Sequence, residues 1–116
     1  MSLRHLDALF KPKSIAVIGA SNRPKSIGSV VMHNLLQGGF SGPIMPVNPR
    51  YKAVSGVLAY SSVQELPMVP DLAVVCTPPE TVPGFIEALG KQRAKAAVVM
   101  STDRKSTRLN SSHYRT

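Results

Sequence analysis

Apolar residues run without alternation from Ile15 to Ile18 and stop at Gly19. Such a run predicts a strand buried on both faces, the pattern of a parallel sheet with helices packed on each side. After a polar loop, Asn22-Arg23-Pro24-Lys25, the residues Ile27, Val30, Val31 and Leu35 follow helical spacing, and Gly38-Gly39 stops that helix. Gly42-Pro43 turns the chain into a second strand, Ile44 to Val47, which ends at Asn48-Pro49. Between residues 50 and 70 the pattern weakens. Val57, Leu58, Ala59 and Tyr60 predict a short edge strand, and the capping-box spacing of Ser62 and Glu65 predicts one helical turn closed by Pro67. Residues 72–76 are the next buried strand, Val82, Phe85, Ile86 and Leu89 predict a helix that starts over residues 77–81, and residues 96–100 are the last strand. At the front, Leu3, Leu6, Leu9 and Phe10 fall near one helical face, and Lys11-Pro12 ends this lead-in helix.

Strands that alternate with helices predict an α/β fold with a doubly wound parallel sheet, because right-handed crossovers place helices on both faces. Counting the predicted strands along the chain, the expected spatial order is 3-2-1-4-5. The winding then reverses between the strand at 14–18 and the strand at 72–76, and ligands of such sheets bind at that switch point, outside the carboxyl ends of the strands. Loops beginning at Gly19, Asn48 and Thr77 converge there, with the end of the fifth strand at Ser101 beside them.

Composition changes this picture at the C-terminus. Residues 103–116 lack apolar periodicity and resemble the conceptual translation of a widely used sequencing adapter, so the expected organisation is one domain over 1–102, C-terminally truncated, and a non-native tail without structure over 103–116. The formal net charge is +8, from 14 basic against 6 acidic residues. Setting aside Arg104, Lys105, Arg108, Arg115 and Asp103 leaves 10 against 5, or +5. The remaining cations are dispersed and no aromatic residues interleave with them, so nucleic acid is not an expected partner. One cysteine excludes an internal disulfide, and no apolar run approaches membrane-spanning length, which together predict a cytoplasmic protein with no membrane partner.

The chemistry expected at the switch point is anion binding. Small residues after Gly19 let the backbone approach a ligand, and the helix that follows offers unpaired N–H groups and the positive end of its dipole, which suit a phosphate. A nicotinamide dinucleotide fits poorly. Gly19 is followed by Ala20-Ser21 and the next glycine is Gly28, which is not the G-x-G-x-x-G spacing. The second strand ends in Asn48, Pro49, Arg50, Tyr51 and Lys52 where an acidic residue is wanted for ribose hydroxyls. Cations there suit a phosphate on the ribose, which both NADP and coenzyme A carry.

Residues 3–102 resemble the N-terminal CoA-binding domain of the NDP-forming acyl-CoA synthetase family, which includes ADP-forming acetate–CoA ligases. The resemblance rests on the run from Pro12 to Ser21, on Gly38-Gly39-Phe40-Ser41-Gly42-Pro43, on Pro46-Val47-Asn48-Pro49 and on Asp71-Leu72-Ala73-Val74-Val75. The opening from Ser2 to Phe10 resembles the branch in which a ligase-like region is fused to an acetyltransferase acting on protein lysines. The resemblance implies a Rossmann-like module that binds CoA or acyl-CoA and works with the remaining domains of a parent enzyme. ATP or ADP with magnesium would belong to those other domains. An NADP-binding domain of an oxidoreductase or redox sensor is the alternative.

By the same resemblance, Gly19, Ala20, Ser21, Ser26, Ile27 and Gly28 would hold the CoA pyrophosphate. Asn48, Pro49 and a cation from Arg50 or Lys52 would lie near the adenosine phosphate; a distant relative's lysine falls nearest Tyr51, so the side chain that takes this role stays open. Thr77 and Pro78 would flank the pantetheine, as would Ser101. No catalytic residue and no metal ligand is expected in this chain, since the family's phosphorylated histidine sits in a later domain and neither His5 nor His33 matches its motif. His33 reads as a solvent-facing helix residue, Cys76 as packing, and Ser21 and Thr77 as hydrogen-bond donors without a base of suitable spacing.

Overall fold

The computed structural model describes residues 11–102 and 109–115, and the lead-in helix predicted before Lys11 lies outside them. In chain order the elements are β1 (Ile15–Ile18), α1 (Ile27–Gln37), β2 (Ile44–Val47), β3 (Ala53–Val54), β4 (Val57–Leu58), β5 (Leu72–Val75), α2 (Val82–Lys91), β6 (Ala96–Thr102) and β7 (Leu109–Arg115). Single 3-10 turns at Val63–Glu65 and Pro79–Thr81 precede β5 and α2.

The unbroken apolar run of β1 has the cause read from sequence: all four residues are buried, because the strand is covered on both faces. It lies between β2 and β5, parallel to both, and β6 continues the sheet on the far side of β5, again parallel. Side chains alternate between two cores. Ile15 and Val17 join Leu72, Val74, Met32 of α1 and Val54 on one face. Ala16 and Ile18 join Ala73, Val75, Val63 and the α2 residues Val82 and Leu89 on the other. This is the doubly wound α/β architecture, with one crossover helix on each face. At the amino ends of the strands, Asp71 accepts the Lys13 N–H at 2.9 Å, pairs with Lys95 at 3.5 Å and donates its own N–H to Ser14 Oγ at 3.0 Å, which leaves the opposite ends for the site.

The structure departs from the sequence-based expectation in three places. The order is β2-β1-β5-β6-β7, with β3 and β4 in a separate antiparallel hairpin, so the predicted third strand over 57–60 is reduced to one parallel bridge between Tyr60 and Val47. Pro46 explains the reduction. Its carbonyl accepts the Tyr60 N–H at 2.9 Å, and the Asn48 N–H donates to the Tyr60 carbonyl at 2.9 Å. The next rung of such a ladder needs an N–H on residue 46, which proline lacks. Val57 and Leu58 pair instead with Ala53 and Val54.

The capping box is likewise shifted. Ser62 makes no side-chain cap, and Glu65 reaches back to Ser61, accepting both its N–H and its hydroxyl. The last departure is the tail. Where the sequence predicts no structure after Thr102, Leu109–Arg115 pairs antiparallel with β6, from Thr102↔Leu109 to Ala96↔Arg115. Without β7 the outer edge of β6 would present a row of unpaired N–H and C=O groups, and backbone pairing of this kind asks little of the incoming sequence.

Candidate functional site

Gly19 closes β1 with its N–H on the Val47 carbonyl at 2.9 Å and turns the chain at φ +87°. A Cβ there would stand 2.8 Å from the Cys76 carbonyl oxygen and 2.9 Å from Thr77 Cγ2, so the loops after β1 and β5 touch only because residue 19 has no side chain. Gly28, in the first turn of α1, lies against the Gly19 carbonyl in the same way, and a Cβ would overlap that oxygen. Ser26 is the N-cap: its Oγ accepts the Ser29 N–H at 3.2 Å and donates to the Arg23 carbonyl at 2.8 Å. The helix start is thus docked on the loop, with the N–H groups of its first turn beside Gly19.

The segment after β2 is fixed to that loop by Asn48. Its Nδ2 donates to the Ala20 carbonyl at 2.9 Å and its Oδ1 accepts the Arg50 N–H at 2.9 Å. Tyr51 OH lies 3.4 Å from Ser21 Oγ, which also accepts the Arg23 N–H at 3.0 Å. Pro49, Arg50 and Lys52 are exposed.

A cavity of about 720 Å³ opens at the carboxyl ends of β1 and β2, on the α2 side of the sheet. It brings together Gly19, Asn48, Pro49, Arg50, Thr77 and Pro78 of the residues expected from sequence. Ser21, Ser26, Ile27, Gly28 and the buried Ala20, on the loop and at the start of α1, are not among its lining residues, and neither is Lys52. Ser101 lies in β6, opposite Asn110 of β7. Sequence reasoning missed a whole wall: Ser61, Ser62 and Gln64 line the cavity, with Thr81, Phe85 and Ala88 of the 79–91 helical segment. Those last three recur at i, i+4 and i+7, a helical stripe that the spacing could have disclosed.

The lining holds one cation, Arg50, several hydroxyl and amide groups, and apolar Ile18, Val47, Val63 and Phe85. No carboxylate, imidazole or thiol is among the lining residues, so the cavity is furnished for holding an anionic ligand with apolar parts rather than for proton transfer. Among the described residues no cluster of His, Cys, Asp or Glu could hold a metal ion, and no helix is long and apolar enough to cross a membrane. His33 is exposed on α1.

Cys76, just past β5, packs with the α1-side core, and burial pushes its thiol from the ordinary 9.0 up to about 12. Reaction with a disulfide reagent near pH 8 is therefore expected to be slower in the native chain than in the unfolded one. Between those two values the unfolded chain releases a proton that the native one keeps. The stability tied to this thiol is complete below pH 9 and falls as pH rises toward 12. Between about pH 8 and pH 10.5 the native chain is expected to lose about 2 kcal/mol more than a Cys76→Ala variant, read from denaturation midpoints. Parallel pH profiles for the two proteins would contradict it.

Comparison with known proteins identifies the family. Residues 13–112 match the CoA binding domain family. The chain is 40% identical over 96 residues to the ADP-forming acetate–CoA ligase I of Archaeoglobus fulgidus, covering 83% of this chain and 14% of that protein. It is 40% identical over 101 residues to the alpha subunit of the ADP-forming acetate–CoA ligase I of Pyrococcus furiosus, covering 84% of this chain and 22% of the subunit. Among solved structures, the dinucleotide forming acetyl-coenzyme A synthetase 1 of Ca. Korarchaeum cryptofilum, in complex with phosphate and ADP, superposes with a TM-score of 0.74 at 41% identity, over 78% of this chain and 19% of that one. The chain spans between 14% and 22% of the length of these three relatives. With a Rossmann-like sheet, a glycine loop docked on a helix start and a cavity at the switch point, it belongs to the CoA binding domain family, homologous to a segment of ADP-forming acetate–CoA ligases.

Proposed function

We propose that this chain is the CoA-holding module of an ADP-forming acyl-CoA ligase, taking CoA or acetyl-CoA while other domains of the parent handle ATP or ADP with magnesium. The observation that carries the reading is that Gly19, against whose carbonyl the α1 start is docked, lines one cavity at the switch point together with Arg50. In this reading the diphosphate lies on Gly19, Ala20, Ser21 and the N–H groups of Ile27 and Gly28, a helix start that suits an anion. Asn48 and Pro49 carry a cation, Arg50 or Lys52, to the 3′-phosphate, and Thr77 and Pro78 pass along the pantetheine, toward Ser101. The single cysteine supports a cytoplasmic place for such a protein. NADP finds no support in the relatives, and the Gly19 to Gly28 spacing is not that of a dinucleotide loop. The adapter-like residues 103–116 are proposed to be non-native, although part of them pairs with β6.

The test uses the phosphate that distinguishes CoA from dephospho-CoA. A charge-assisted contact to it is worth about 1.5–3 kcal/mol, so Arg50→Ala combined with Lys52→Ala is expected to weaken CoA at least about tenfold. Dephospho-CoA is expected to lose little. Equal losses for both ligands, measured by calorimetric titration, would remove the two cations from the site.

A further inference from the structure

Three consecutive residues of the loop after β1 each reach the segment after β2. The Ala20 carbonyl accepts from Asn48 Nδ2, Ser21 Oγ meets Tyr51 OH, and Asn22 makes two bonds to the β3–β4 hairpin. Asn22 Nδ2 donates to the Ala53 carbonyl at 2.9 Å, and its Oδ1 accepts the Ser55 N–H at 3.0 Å. Ser55 and Gly56 turn the hairpin at φ +52° and +82°. This is the two-residue hairpin turn with both central residues left-handed, and at Ser55 a non-glycine residue must be held there.

Arg50, Tyr51 and Lys52 lie between these anchors. Asn48 fixes the segment at its start and Asn22 fixes it at its end, both against the loop that begins at Gly19. A side-chain amide is needed at position 22, because only it offers a donor and an acceptor at that reach; serine is too short for both bonds and aspartate lacks the donor. Asn22 is exposed, so its two bonds serve the hairpin and not the core.

We propose that Asn22 is a positioning residue for CoA: it sets the distance between the loop that receives the diphosphate and the cations that receive the 3′-phosphate. The proposal rests on the CoA reading above. It assigns Asn22 no contact with the ligand. Its signature is a change in the preference for CoA over dephospho-CoA, which a general loss of stability would leave unaltered.

The experiment titrates CoA and dephospho-CoA into the full 116-residue chain and its Asn22→Ala variant, and follows amide exchange in both. Asn22→Ala is expected to weaken CoA about tenfold and dephospho-CoA by less than about threefold. The Ser55 amide is expected to exchange faster while the amides of β1 keep their protection. In a background of Arg50→Ala and Lys52→Ala, the Asn22 change is expected to alter the preference no further, since coupled groups are not additive. If Asn22→Ala does not fold, Asn22→Ser carries the same comparison. An unchanged CoA to dephospho-CoA preference, with the Ser55 amide released, overturns the proposal alone. Failure of the unaltered chain to bind either ligand overturns the CoA reading, and this proposal with it.

Discussion

Gly28→Val is expected to abolish CoA binding, and Gly19→Val to do the same by a different route. At Gly28 even a Cβ overlaps the Gly19 carbonyl oxygen, so a branched side chain must drive the start of α1 off the loop. Overpacking of this kind costs about 1–3 kcal/mol in stability. The cost to binding is larger, because the N–H groups that would meet the diphosphate move with the helix start. Losing two charge-assisted hydrogen bonds costs about 3–6 kcal/mol, a hundredfold or more in Kd. At Gly19 the φ of +87° excludes a β-branched residue, and a Cβ meets Cys76 and Thr77 across the switch point. Calorimetry with CoA, alongside circular dichroism to show that the sheet persists, decides the matter. Parental affinity in both folded variants would place the ligand on another loop.

The second large effect is expected in the core that backs the cavity. Leu89 is 0% exposed and packs with Ile18, Val75 and Val82, while Phe85 and Ala88 of the same helix turn toward the cavity. Leu89→Ala removes side-chain volume that neighbours on a rigid sheet cannot refill, at a cost of about 2–5 kcal/mol. Against a total of about 5–15 kcal/mol for an intact domain, the chain should approach marginal stability, with Tm lowered by about 10 °C or more. CoA at saturating concentration should restore part of the loss through mass action. A fall in Tm of only a degree or two would mean that α2 is not anchored through Leu89.

Much of this architecture is legible in the residues. The runs 15–18 and 72–75 lack alternation because both faces of each strand are buried, and that reading led directly to a parallel sheet and its switch point. The sharp turn at Gly19 was legible, and its φ of +87° bears that out, but the close contacts at Gly19 and Gly28 are with other parts of the chain, which the sequence did not disclose. The β3–β4 hairpin was not read, although Ser55-Gly56 between Val54 and Val57 carries the signal of a two-residue turn. The loss of a full third strand turns on the missing N–H of Pro46, a rule applied to β2 only once its neighbour is known. The cavity wall from residues 61–64 and 81–88 was invisible for another reason: those residues read as a loop and a core helix, and only the fold sets them opposite Asn48 and Arg50. β7 has no apolar pattern to read, since its pairing follows from the backbone of β6.

The central claim is that the switch-point cavity of this chain takes CoA and not a nicotinamide dinucleotide. Titration of the full chain with CoA and, separately, with NADP, each followed by calorimetry and by competition, tests it most directly. Saturable binding of one CoA per chain that NADP neither matches nor displaces is the predicted result. NADP binding as tightly as CoA, or no CoA binding by a chain shown to be folded, would contradict it.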